Sequence, residues 1–152
     1  MPPRFAELLA ALAVAQVDFL VVGGLAVAQA GYLRTTLDVD LLVEASAANL
    51  ARLVGGLAGF SEEAAAVLTP EDFPLEEGAV RVAEHFDLDL FTLMSGATYA
   101  DLLPLSNVHP VLGKPVRFLS AEGLIRLKAP SLRPKDRLDV EMLRDLLRRR
   151  PG

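Results

Sequence analysis

With 152 residues, 52% of them hydrophobic, the chain is long enough to bury one core and too short for two ordinary domains, so a single domain over residues 1–152 is expected. The absence of cysteine excludes disulfides and thiolate metal sites, and a net charge of −5 argues against a surface that binds nucleic acid everywhere. That charge is uneven: residues 1–119 hold 6 basic and 15 acidic side chains, a balance of −9, while residues 120–152 hold 9 and 5, a balance of +4. A basic C-terminal segment, about 120–150, therefore sits on an acidic body. It either faces phosphates or is a solvated helix face whose arginines suit the C-terminal end of a helix dipole.

From Pro3 to Gln16, Phe5, Leu8, Leu9, Leu12 and Ala15 recur at helical spacing and predict an amphipathic helix. Its apolar run Leu8–Ala15 is shorter than a membrane span, and with only Arg4 ahead of it and Glu7 in its approach it is a poor secretory leader. A cytoplasmic protein without membrane attachment is expected. Asp18 to Val22 then reads as a short buried strand ended by Gly23-Gly24, and the Ala-rich stretch after it as a turn or two of helix stopped at Gly31. Residues 37–43, LDVDLLV, alternate as a strand with Asp38 and Asp40 on one face and Leu37, Val39 and Leu41 on the other.

Ser46 is placed to cap a helix running to about Leu57 on the stripe Leu50, Leu53, Val54, Leu57. Residues 61–78 carry no clear period, and Pro70 and Pro74 mark a loop. Two strands are expected at 79–83 and 85–92, the second alternating Phe86, Leu88 and Leu90 against Asp87, Asp89 and Phe91. A short helix near 99–103, two strands about a Gly113 turn, a helix over 121–129 capped by Ser120 and a last helix with Pro134 in its first turn complete the chain. Strands and helices mix without a strict βαβ rhythm, so the expected class is α+β (α/β), a mixed sheet with helices packed on it.

Asp38 and Asp40 are one pleat repeat apart, with Cα atoms roughly 6.5 to 7 Å from each other, so both carboxylates can enter one cavity. Two like charges held so close call for a cation. Hard oxygen donors favour magnesium or manganese, and a third carboxylate from a neighbouring strand, Asp87 or Asp89, would complete the set. Gly23-Gly24 at a strand-to-helix junction lets backbone N–H groups approach a phosphate without obstruction by a Cβ, which suits a nucleotide triphosphate. His85 precedes a strand and His109 precedes Pro110, and neither has a partner at ligand spacing, so both read as structural.

FLVVGGLAVAQAGYLRTTLDVDLLV resembles the opening of the nucleotidyltransferase superfamily that includes DNA polymerase beta. It is especially similar to small bacterial members related to toxins of abortive-infection and toxin-antitoxin systems. The likeness continues through LDLFTLMSG, VLGKPVRFLSAEGLIRLKA and RPKDRLDVEML, from about Asp18 to Leu147 with gaps around 60–80. The resemblance implies the nucleotidyltransferase fold and a metal-dependent transfer of a nucleoside monophosphate from a nucleotide triphosphate such as ATP to an acceptor hydroxyl. That acceptor belongs to a protein, an RNA end or a small molecule.

By the same resemblance Asp38 and Asp40 hold metal, and Asp89, opening Asp-Leu-Phe-Thr, is the third carboxylate in preference to Asp87. Gly23, Gly24, Arg34, Thr35 and Lys128 then serve the nucleotide. A toxin role with a partner antitoxin is implied too, and the alternative is a non-catalytic module that keeps the fold and binds nucleotide or a partner. Two departures stand out. Many relatives have Gly-Ser at the Gly23-Gly24 position, and Pro130 interrupts a stretch that is helical in relatives.

Overall fold

The structure is a computed structural model that describes residues 1–33, 35–60, 68–83 and 86–149. Among the described residues six strands pair into one mixed sheet: β1 (Phe19–Val22), β2 (Asp38–Val43), β3 (Val80–Ala83), β4 (Asp87–Phe91), β5 (Ser106–Val111) and β6 (Lys114–Leu119), in the order β3-β4-β2-β1-β6-β5. The β1–β2, β3–β4 and β5–β6 pairs are antiparallel, whereas β2–β4 and β1–β6 are parallel. The expected mixed sheet is therefore present. Among the described residues the helices are α1 (Pro3–Val14), α2 (Gly23–Ala30), α3 (Ala47–Phe60), α4 (Tyr99–Leu102), α5 (Ala121–Lys128) and α6 (Pro134–Arg149).

Helix α1 packs on α3, while α2 packs with α5 and α6. The apolar stripe of α1 explains its place, since Phe5, Leu8, Leu9 and Leu12 are all buried. On α3 Leu50, Leu53 and Leu57 face inward as their spacing requires, and the helix runs one turn beyond Leu57 to Phe60. Ser46 accepts the Asn49 N–H and Ser120 the Gly123 N–H, so both expected caps form. Helix α5 ends at Lys128, with Ala129 still helical and bonded to Ile125, and Pro130, which has no N–H to continue the ladder, comes next. The β5–β6 hairpin turns on Leu112 and Gly113, both at positive φ, which matches the right-handed twist of the two strands.

Leu37 departs from the expected pattern. Strand β2 begins only at Asp38, and Leu37, one residue before it, is 80% exposed rather than buried beside Val39 and Leu41. The 61–67 part of the weakly patterned segment and His85 lie outside the described residues. The remainder of that segment carries a 3-10 turn at Pro70–Asp72.

One buried polar residue ties the sheet to α3. Asn49, fully buried, accepts the Asp18 N–H at 2.8 Å and donates to the Asp18 and Glu44 carbonyls at 3.0 and 2.7 Å. These groups lie at the start of β1 and the end of β2. Asn49→Ala takes this partner from the Asp18 N–H and the Glu44 carbonyl, while the Asp18 carbonyl keeps the Glu44 N–H, and is expected to cost roughly 1 to 3 kcal/mol. Denaturant unfolding would read this as a lower midpoint at unchanged slope.

Candidate active site

Strand pairing assembles the site. Parallel register sets Asp38 beside Asp87 and Asp40 beside Asp89, and antiparallel register sets Val22, the last residue of β1, beside Asp40. Odd and even positions alternate between faces, so Val39, Leu41, Leu88 and Leu90 are buried in the core while the aspartates turn to the other side. One carboxylate oxygen each from Asp38, Asp40 and Asp89 lies within 4.8 Å of the others. Asp87 is outside this group, and its half-exposed side chain reaches Arg81 instead, 3.4 Å away. The structure thus brings together the carboxylates that the resemblance selected.

Three carboxylates this close cannot all ionise freely without a cation. Burial first, and then the charges of Asp38 and Asp89, push Asp40 up to about 7; a hydrogen bond with Asp89 adds to the shift and the Lys128 charge opposes it. An all-oxygen donor set in which Asp40 retains a proton fits a hard divalent ion, and Asp38, Asp40 and Asp89 are the residues that would hold it.

Stability of the metal-free fold inherits this shift. Because the folded protein keeps a proton on Asp40 that the unfolded chain releases near pH 4, stability from this group is full below about pH 4. It falls as pH rises towards 7. In chelator, the melting temperature of the wild type is expected to decline over that interval relative to Asp40→Asn, and saturating magnesium should remove the difference in slope. Parallel curves in chelator would contradict the raised Asp40.

Gly23 and Gly24 form the first turn of α2, directly after β1 with no loop between. Gly23 has φ +67, and a Cβ there would overlap the Asp40 carboxylate, so glycine is required both by the backbone and by the neighbour. Among the described residues no side chain caps α2, and a helix start of this kind suits an anion. Both glycines line a cleft of about 650 Å³ together with Thr35, the three aspartates, Phe91 and Lys128. Thr36, beside Thr35, donates to the Asp38 carbonyl at 3.2 Å. Arg34 lies outside the described residues.

Lys128 ends α5 and is largely buried. Its ammonium contacts Asp136 and Asp139 of α6, each at 3.1 Å. Asp136 also accepts from the Ser131 hydroxyl at 2.7 Å and the Arg133 guanidinium at 3.0 Å. Burial works against its ionisation, but these hydrogen bonds and the Lys128 and Arg133 charges prevail and hold its pKa below the usual carboxylate range. Asp136 is thus buried and turned to Lys128. Its signal was present in the spacing, since Asp136, Asp139, Val140 and Leu143 make an i, i+3, i+4, i+7 stripe that contains two carboxylates.

Arg81 escaped the sequence reading altogether. It lies opposite Asp89 on β3 and grips both Asp89 oxygens, at 2.8 and 2.9 Å. That hydrogen bonding, followed by the Asp89 and Asp87 charges, keeps the guanidinium more firmly protonated than usual. The Val-Arg-Val alternation hinted at an outward cation, but only the β3–β4 register could say which carboxylate it meets.

Two solved structures share this architecture. An antigenic nucleotidyltransferase-like protein from Paracoccidioides brasiliensis aligns with 98% of this chain and 78% of its own, at a TM-score of 0.56 and 17% identity. A candidate nucleotidyltransferase from Thermotoga maritima aligns with 99% of this chain and 96% of its own, at a TM-score of 0.57 and 15% identity. The fold is the nucleotidyltransferase fold. No family model and no curated protein sequence matches the chain. At such low identity the nucleotidyltransferase fold is what the likeness carries, and chemistry must be argued from the cleft itself. No helix among the described residues is long and apolar enough to cross a membrane.

Proposed function

We propose that this protein transfers a nucleoside monophosphate from a nucleotide triphosphate to an acceptor hydroxyl. The observation that carries the reading is the convergence of Asp38, Asp40 and Asp89 beside the uncapped start of α2 in one cleft. A magnesium or manganese ion on the three aspartates would supply a Lewis acid at the reacting phosphate and neutralise their mutual repulsion. The backbone N–H groups at Gly23 and Gly24 hold triphosphate oxygens, with Thr35, Lys128 and, by the sequence resemblance, Arg34 supplying further donors. Asp89 orients the acceptor hydroxyl and takes its proton. The new bond joins the acceptor oxygen to the α-phosphorus, the bond from that phosphorus to the bridging oxygen breaks, and pyrophosphate leaves with the electron pair. A toxin role beside a partner antitoxin rests on the sequence resemblance alone.

Incubation with each α-labelled triphosphate, magnesium and either total RNA or lysate protein tests the reading, with label expected in a macromolecule or a small hydroxylated acceptor. Failure to transfer from any triphosphate to any fraction would refute it. Within that assay Asp89→Asn is expected to remove transfer while nucleotide still raises the melting temperature, because Asp38 and Asp40 remain. Asp87→Asn, half-exposed and outside the carboxylate group, should keep most activity. The reverse pattern would place the third carboxylate one pleat repeat away.

A further inference from the structure

We infer that the exposed face of α6 that continues from the cleft binds the phosphodiester backbone of a single-stranded RNA acceptor. This rests on the transfer reading above and names its substrate class. Arg137, Arg144 and Arg148 follow one another at i, i+7 and i+11, which places them on one side of α6, and all three are exposed. Among the described residues none of the three takes part in an ion pair, whereas Arg133 is bonded to Asp136 and Arg149 to Asp145. A groove of about 210 Å³ runs along this side, lined by Lys128, Ala129, Arg137, Val140, Glu141 and Arg144.

Lys128 is the junction, because it lines both this groove and the carboxylate cleft. Between Arg137 and Arg148 the helix rises about 16 Å, so the arginines form a track rather than a point. A chain whose terminal hydroxyl sits at Asp89 would pass Lys128 and lay its following phosphates along that track. Guanidinium groups suit it, since their planar donor forks match phosphate oxygens. An acidic polypeptide also carries hydroxyls, but its charges do not recur at every residue as those of a phosphodiester chain do, and a row of arginines along one helix face suits that regular series, which is why RNA is favoured. No aromatic side chain lies in the sequence after residue 120 to stack bases, so recognition here is of backbone and not of sequence.

The test uses the full chain and a fluorescently labelled oligouridylate in chelator, without nucleotide, followed by anisotropy across a salt series. Binding is expected at low salt, with the logarithm of affinity falling linearly against the logarithm of salt. The Arg137→Gln/Arg144→Gln double variant is expected to bind at least about tenfold more weakly and to lose about 1.4 from the slope, the share of two phosphates on a single strand. Arg4→Gln/Lys114→Gln, which removes the same charge from elsewhere, should keep the wild-type slope. Equal binding by the Arg137/Arg144 variant, an equal loss in the control variant, equally tight binding of polyglutamate, or no binding at low salt would each overturn the inference. Since the assay needs neither metal nor triphosphate, such a failure leaves the transfer chemistry standing. Intact RNA binding by a protein that transfers no label would instead sink the transfer reading.

Discussion

Asp38→Asn and Asp40→Asn are each expected to reduce transfer by at least about a hundredfold, the scale on which loss of a single charge-stabilising group is felt at a reacting centre. The fold should not suffer in the metal-free state. Both changes remove charge from a group of carboxylates so crowded that Asp40 is pushed up to about 7, and the amide introduced by Asp40→Asn can still hydrogen-bond Asp89 without needing a borrowed proton. Two measurements check this together: rates with labelled triphosphate, and melting temperatures in chelator and in excess magnesium. Wild type should gain thermal stability from magnesium, and each variant should gain less because it keeps one ligand fewer. A variant that transfers at the wild-type rate would end the metal-dependent account, and one that unfolds would show that these carboxylates serve the fold first.

Lys128→Met should be the most damaging single change to stability, by roughly 3 to 5 kcal/mol, the usual cost of removing one member of a buried ion group. Methionine fills similar space but leaves Asp136 and Asp139, both buried, without the ammonium they share. Adding Asp139→Asn to Lys128→Met should recover part of the loss, since one of the two buried charges that the ammonium served is then gone. Denaturant melts of the two variants measure the recovery as a coupling energy. A small effect of Lys128→Met alone would mean that the ammonium is held loosely, ready for phosphate, and is not tied to α6. Part of the Lys128 charge is already engaged by α6, so a phosphate at this side chain would share it with Asp136 and Asp139.

What could be read from the sequence follows a physical divide. Local signals were legible: the stripe of α1, the Ser46 and Ser120 caps, the Gly113 turn and the alternation around Asp38 and Asp40 each depend on neighbours a few residues away. The grouping of Asp89 with Asp38 and Asp40 came from resemblance, because Asp87 shares its period and only the β2–β4 register separates the two. Arg81, Asn49 and the pair Asp136 and Asp139 were missed for a common reason. Each is a polar side chain whose partners come from another element, and spacing within its own element cannot name them. Leu37 failed in the opposite way, as an apolar residue that continues the alternation past the end of its strand and meets solvent.

The two outer strands of the sheet also bear on how copies of this protein meet each other. An unpaired strand edge invites a foreign strand to add to it, and among the described residues the sheet ends on β3 and β5. Strand β5 carries Pro110 directly opposite Pro115 of β6. Facing residues that exchange hydrogen bonds need an N–H each, so this pair occupies a non-bonded position, and the N–H that Pro110 lacks is missing from the outward edge. Strand β3 is only four residues long, and the Arg81 on it brings a charge to that margin. Each rim is thus interrupted where a visiting strand would need a continuous row of partners, which guards a chain this rich in apolar residues against edge-to-edge stacking.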